Sequence, residues 1–245
     1  MTYTTAALVG VAGGVGTTRT TLEVAVALAA DGADVAVLDA AYATQGLGDY
    51  LPGRIDPDLT ALVTDRAEES LSTGLADLDA GTDGRVTCCP VDAPFERLAR
   101  AKRVEAARRF EGRIEEATAT FDHVLVDVPP IAANQAVAAA TTCERVGAVA
   151  PVGDRGVDAT ARLRERLADL GTAADLLVAT GGTDESGAAD VVLPETETTV
   201  PGCLTDERYG RAIERLVAEL VERDVAAVGE SNGLLGGVGE VFRRQ

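Results

Sequence analysis

Two features of this 245-residue chain could do chemistry: a glycine-rich turn, Ala12-Gly13-Gly14-Val15-Gly16-Thr17-Thr18, and two aspartates, Asp39 and Asp127, each ending an apolar run. The turn follows the run 6–11 and precedes a helical pattern over 18–30. Strand, glycine turn and helix N-terminus make an anion cradle, because backbone N–H groups converge where the helix dipole is positive and glycine lets a phosphate approach. The spacing GxxxxGK[ST] is incomplete: Gly16 and Thr18 fill the last glycine and hydroxyl positions, but Thr17 holds the lysine slot and Val11 the first glycine slot. Asp39 closes DVAVLD, and Asp127 lies within FDHVLVDVPP at 121–130. Parallel strands open their C-termini on one sheet edge, so Asp39, Asp127 and Thr18 can converge on one magnesium ion.

Short apolar runs alternating with helical patterns predict how these residues are positioned. Strands are expected over 6–11, 34–39, 85–89, 123–127, 145–150, 175–179 and 190–193, and helices over 18–30, 104–120, 157–170 and 207–223. Several strands are continuous Val/Leu/Ala runs, as required for strands covered on both faces. In the last helix Tyr209, Ala212, Ile213, Leu216, Val217, Leu220 and Val221 recur at three- and four-residue spacing. The expected fold class is α/β, a doubly wound, mostly parallel sheet with helices on both faces. The expected organisation is one nucleotide-binding domain over 1–224 and a Gly-rich tail over 225–245.

Composition removes other chemistries. His123, the only histidine, sits in an apolar run and reads as structural, which disfavours Ser-His-Asp and multi-histidine metal sites. Cys88, Cys89, Cys143 and Cys203 form no CxxC pair, so zinc, iron–sulfur and redox readings lack their ligand spacing. Forty acidic against 22 basic residues give a net charge of −18, with Lys102 the only lysine. That balance opposes bulk-electrostatic binding to DNA or anionic lipid, and it fits a protein adapted to molar salt, a halophile's. No positive n-region precedes an apolar leader and no apolar run reaches a membrane span, so a cytoplasmic protein is expected.

The chain resembles the MinD/ParA family of deviant-Walker, SIMIBI-class P-loop ATPases. The family pattern KGGVGKTT matches residues 12–19 in five of eight positions: Gly13, Gly14, Val15, Gly16 and Thr18. Residues 34–41 resemble the VxxIDxD motif, 121–130 the YDxxxxDxPP motif, and 143–152 the strand after it, so that the likeness runs from about 5 to 223 in order and spacing. It implies a nucleotide site at Gly13, Gly14, Val15, Gly16, Thr17 and Thr18, magnesium at Thr18, Asp39 and Asp127, and Asp39 as the candidate catalytic residue. It implies ATP or ADP with Mg²⁺ as cofactors, a homodimer sandwiching nucleotide, a protein partner, and a role in placing division sites, chromosomes or plasmids.

Three charged positions of the pattern are neutral or altered. Ala12 replaces the signature lysine, Thr17 the phosphate-binding lysine and Ala41 the second aspartate of VxxIDxD. Arg19 and Arg155 are the candidates for compensation. Arg19 lies about 200° around the helix from Thr17 and is expected to face away from the cradle. Losing one charge-assisted hydrogen bond weakens binding about ten- to a hundredfold, whereas losing a transition-state stabiliser typically costs about 10²–10³ in rate. The expected protein is therefore an ATP-binding switch with weakened or absent hydrolysis; the alternative is a pseudo-ATPase scaffold that binds a protein partner without nucleotide. An amide-forming or iron–sulfur enzyme is a distant third.

Two peripheral features complete the reading. Leu234, Leu235, Val238, Val241 and Phe242 share one face of a potential tail helix ending in Arg243 and Arg244, which would place the protein at the inner face of the membrane. Gly236, Gly237 and Gly239 oppose that helix by roughly 1 kcal/mol each, and a free or self-docked tail is preferred. The cluster Arg97, Arg100, Lys102, Arg103, Arg108 and Arg109 lacks a base-reading motif and is expected to be a solvated helix face, so DNA is not an expected partner.

Overall fold

The computed structural model describes residues 4–183 and 189–221. Eight strands, β1 Thr4–Gly10, β2 Asp34–Asp39, β3 Ala76–Leu78, β4 Arg85–Cys89, β5 His123–Val128, β6 Arg145–Pro151, β7 Leu176–Thr180 and β8 Val191–Leu193, form one sheet. Their order is β3-β4-β2-β5-β1-β6-β7-β8, and every pairing is parallel except β3 with β4. The helices are α1 Thr17–Ala30, α2 Leu59–Leu62, α3 Phe95–Ala101, α4 Val104–Thr118, α5 Asn134–Thr142, α6 Asp154–Asp169 and α7 Glu207–Val221.

Strand alternation divides the core into two layers. Leu8, Val35, Val37 and Leu125 point to one face and meet Leu22, Val26, Ile213 and Leu216 of α1 and α7. Ala7, Val9, Leu38, Val124 and Val126 point to the other and meet Phe110, Ile114, Ala139 and Leu163 of α4, α5 and α6. The expected α/β class is observed, with all seven expected strands present, six of them within one residue of their expected bounds; β1 starts two residues early, at Thr4, and stops one short of Val11. Helix α6 starts one turn earlier than its apolar pattern because Gly153, with φ +94°, turns the chain into it.

Elements without an amphipathic signal are the ones the sequence pattern misses. Strand β3 is only the three residues ADL, too short to show an alternating pattern, and is held by the Thr87 hydroxyl donating to Asp77 at 2.9 Å. Helix α5 is rich in alanine and threonine, buried over Gln135, Ala136 and 138–140, and so carries little contrast between faces. The basic cluster is the solvated face expected of it at Arg103, Arg108 and Arg109, all exposed, but several of its members also make contacts within the fold. Arg97 pairs with buried Asp58 at 3.0 Å, Arg100 with Asp65 at 2.6 Å, and Arg109 donates to the Val63 carbonyl at 3.2 Å, fastening the chain after β2 onto α3 and α4. The tail over 225–245 and its membrane helix lie outside the described residues, as do 222–224 of the expected domain. Among the described residues no helix is long and apolar enough to cross a membrane.

Phe110 is fully buried and meets the Tyr42 ring edge-on at 6.5 Å between centroids. Phe110→Ala is expected to lower unfolding free energy by about 3–5 kcal/mol, read from denaturant titration.

Candidate functional site

The chain leaves β1 at Gly10 and turns through the loop into α1, whose N-cap is Gly16. Gly14 and Gly16 have φ of +74° and +86°, which other residues adopt only under strain. Thr180 at the end of β7 ties the loop to the sheet, its hydroxyl lying 3.0 Å from the Val15 carbonyl and 3.3 Å from that of Ala150. Nearer β1, the Val11 N–H donates to the Val149 carbonyl of β6 at 2.9 Å. No acidic residue occupies the first turn of α1, so its N-terminal dipole is uncompensated. The predicted residues Gly13, Gly14, Val15, Gly16, Thr17 and Thr18 thus form one continuous loop and helix start.

Asp39 and Asp127 are register partners across β2 and β5, and alternation turns both toward the α1 face. Asp39 is fully buried and Asp127 1% exposed. The Thr18 hydroxyl donates to Asp127 Oδ2 at 2.6 Å, while Asp39 accepts from the Ala41 N–H at 2.7 Å and the Val91 N–H at 3.3 Å. Burial drives the Asp39 carboxyl well above its ordinary range and the Asp127 charge raises it further, against the two N–H bonds. Burial raises Asp127 as well, opposed by the Thr18 hydroxyl. Two dehydrated carboxylates side by side repel unless a proton or a cation joins them. Their all-oxygen donor set, with a hydroxyl whose proton is already committed and whose lone pairs are free, fits Mg²⁺, which takes few protein ligands beside water and phosphate. Among the described residues no group of three or more His, Cys, Asp or Glu is arranged around a metal, so the set is limited to this pair and Thr18.

The positions without charge are equally plain. Ala12 is exposed at the loop, and the Thr17 hydroxyl lies over Gly10, where an added Cβ would come within 2.5 Å of it. Ala41, in the VxxIDxD position, offers its N–H to Asp39. Arg19 turns away from the cradle as its helical position requires: it lies 3.6 Å from Glu23, stacks on the Tyr209 ring at 5.3 Å and donates to the Thr198 carbonyl. Arg155 stands exposed in the first turn of α6.

A cavity of about 520 Å³, not anticipated from the sequence, opens on the far side of the loop from the carboxylates. Gly16 and Thr20 contribute one wall, Thr180 and Gly181 another, and the chain after β8, from Pro194 to Glu197, a third. It is assembled from the ends of β7 and β8 and the sides of α1 and α7, and no local pattern marks such a junction. The only signal available was the position of 180–183 and 194–197 directly after expected strands, on the same sheet edge as Asp39 and Asp127.

Because both carboxyls are raised, the folded protein without cation holds protons that the unfolded chain has released. The pair's contribution to stability is therefore fully present below the unfolded carboxyl value near 4 and is lost as pH rises from about 4 to about 8. Asp39→Asn is expected to flatten that fall and raise the melting temperature at pH 8 in chelator, measured by thermal melts across this range.

No family model matches the chain, and no curated protein matches it. Solved structures do. The septum site-determining protein MinD from Pyrococcus horikoshii, complexed with Mg-ADP, superposes with a TM-score of 0.72 at 19% identity, covering 89% of this chain and 96% of that one. MinD in the MinC:MinD cell division complex of Aquifex aeolicus gives 0.72 at 17%, covering 91% and 97%. Cobyrinic acid a,c-diamide synthase from Mycobacterium smegmatis, with ATP analogue and magnesium, gives 0.69 at 18%, covering 94% and 100%. At these identities the likeness is one of architecture, and the chain has the fold of the MinD/ParA-like, SIMIBI-class P-loop ATPases.

Proposed function

We propose that the protein is a MinD/ParA-type switch that binds Mg-ATP or Mg-ADP, turns it over weakly or not at all, and acts in spatial positioning of a division site, chromosome or plasmid. The observation that carries this reading is the pair of buried carboxylates, Asp39 and Asp127, beside Thr18 at the mouth of a glycine loop whose two lysine positions are neutral. Loop N–H groups and the α1 N-terminus hold the phosphates. Thr18, Asp39 and Asp127 would hold the magnesium ion, which when bound neutralises phosphate and carboxylate charge together. The base end of the nucleotide then extends past Gly16 into the cavity beside α1.

Hydrolysis is the weaker half of the activity. Charge growing on the transferred phosphoryl group meets Thr17 and Ala12 where two ammonium groups would otherwise stand, and Arg19 is committed to Glu23, Thr198 and Tyr209. Asp39 remains the candidate for orienting water, although both its oxygens already accept backbone N–H bonds. Support for a positioning role comes from the MinD structures, one named for septum-site determination and one solved with its partner MinC. By the same likeness the switch works as a homodimer with a protein partner, in the cytoplasm or peripherally at the membrane. The amide synthase shares the fold equally, but amide formation draws on the lysine this loop lacks.

Titration calorimetry with Mg-ATP in molar KCl is expected to show binding, with a matching rise in melting temperature and phosphate release near background. Thr17→Lys is expected to tighten ATP binding about ten- to a hundredfold. Rapid phosphate release that Asp39→Ala abolishes would falsify the impaired switch. Absence of binding by both forms would leave the nucleotide-free scaffold as the function.

A further inference from the structure

We infer that Arg19 and Glu23 are positioning residues for the base end of the nucleotide, fixing the segment after β8 as a wall at a set distance from the phosphate loop. The inference rests on the nucleotide reading above. Glu23 is a fully buried carboxylate in the middle of α1, a location that is costly for a charge unless it is paired and hydrogen-bonded. Both its oxygens are satisfied by one short stretch of chain: Oε1 accepts from the Gly202 N–H at 2.9 Å and Oε2 from the Cys203 N–H at 2.8 Å. One turn earlier, Arg19 completes the joint. Its guanidinium donates to the Thr198 carbonyl, lies 3.6 Å from Glu23 and covers the Tyr209 ring.

The joint is tight as well as polar. A Cβ at Gly202 would lie 2.6 Å from the Thr198 hydroxyl, 2.9 Å from Glu23 and 3.1 Å from Arg19, so only glycine fits there without displacing them. Arg19 also lines the cavity, together with Thr196, Glu197 and Tyr209, and its Nε is buried with no protein partner. A flexible arginine held at three points presents a fixed surface, and a preformed wall spares the ligand the cost of ordering it. Because Gly16, Arg19 and Glu23 all lie on the first two turns of α1 or at its cap, the phosphate end and the base end of the site are set by one rigid element. Arg19 thus acts on the base, although it is turned away from the phosphates.

The test compares ATP with inorganic tripolyphosphate, which has the phosphates and no base, each with Mg²⁺ and full-length protein. Arg19→Ala and the milder Arg19→Gln are expected to weaken ATP binding about tenfold while tripolyphosphate binding stays unchanged. In the unsubstituted protein, ATP is expected to slow amide exchange at 195–203, with Gly202 and Cys203 the reporters, and tripolyphosphate is not. Equal losses for both ligands in a variant that keeps its melting temperature, or no loss for either, overturn the inference and leave nucleotide binding standing. So does identical exchange with the two ligands. If the unsubstituted protein binds neither, the nucleotide reading and the inference fall together.

Discussion

The whole site depends on keeping two carboxylates next to each other in a place water does not reach. Asp39 and Asp127 end neighbouring parallel strands, so their separation is set by the hydrogen-bond ladder and they cannot relax apart. That repulsion is relieved by a proton or a cation shared by the pair, while one carboxylate accepts a hydrogen bond from the Thr18 hydroxyl at the start of α1 and the other from backbone N–H groups of two loops. The order β2-β5-β1 makes this possible: it brings both acidic strand ends beside the glycine turn, even though the two segments are nearly ninety residues apart in sequence.

Charge is distributed asymmetrically around the loop. Asp39, Asp127 and Thr18 put oxygens on one side of the loop, whereas Ala12 and Thr17 put no ammonium group on it. Main-chain donors and a helix dipole can still bind a phosphate in its ground state, though more weakly than with a lysine beside them. Catalysis needs more, because only interactions that strengthen in the transition state raise the rate. Thr18, Asp39 and Asp127 beside the uncharged Thr17 and Ala12 are thus the combination on which the proposed slow switch rests.

How far the sequence reveals this depends on the kind of contact. Continuous runs such as DVAVLD and HVLVDV announce buried parallel strands and place their aspartates, so the juxtaposition of Asp39 and Asp127 is legible residue by residue. The seven-residue stripe of α7 is legible for the same reason, and all seven side chains are buried. The cavity wall is not, because 194–203 has no repeating pattern and is shaped by Glu23, which a helical reading of α1 would place as one more charged residue in an apolar helix. Helix α1 itself is buried from Thr20 to Ala29, so its faces carry no contrast that could have shown which neighbours Arg19 and Glu23 would meet.

Both outer strands of the sheet, β3 and β8, are only three residues long, and β3 runs against its neighbour. A strand that short exposes too few unpaired amides to template another chain, so continuation of the sheet from one molecule into the next is closed off at both margins. Any association between copies is thereby left to helix surfaces and to the rim that carries the glycine loop.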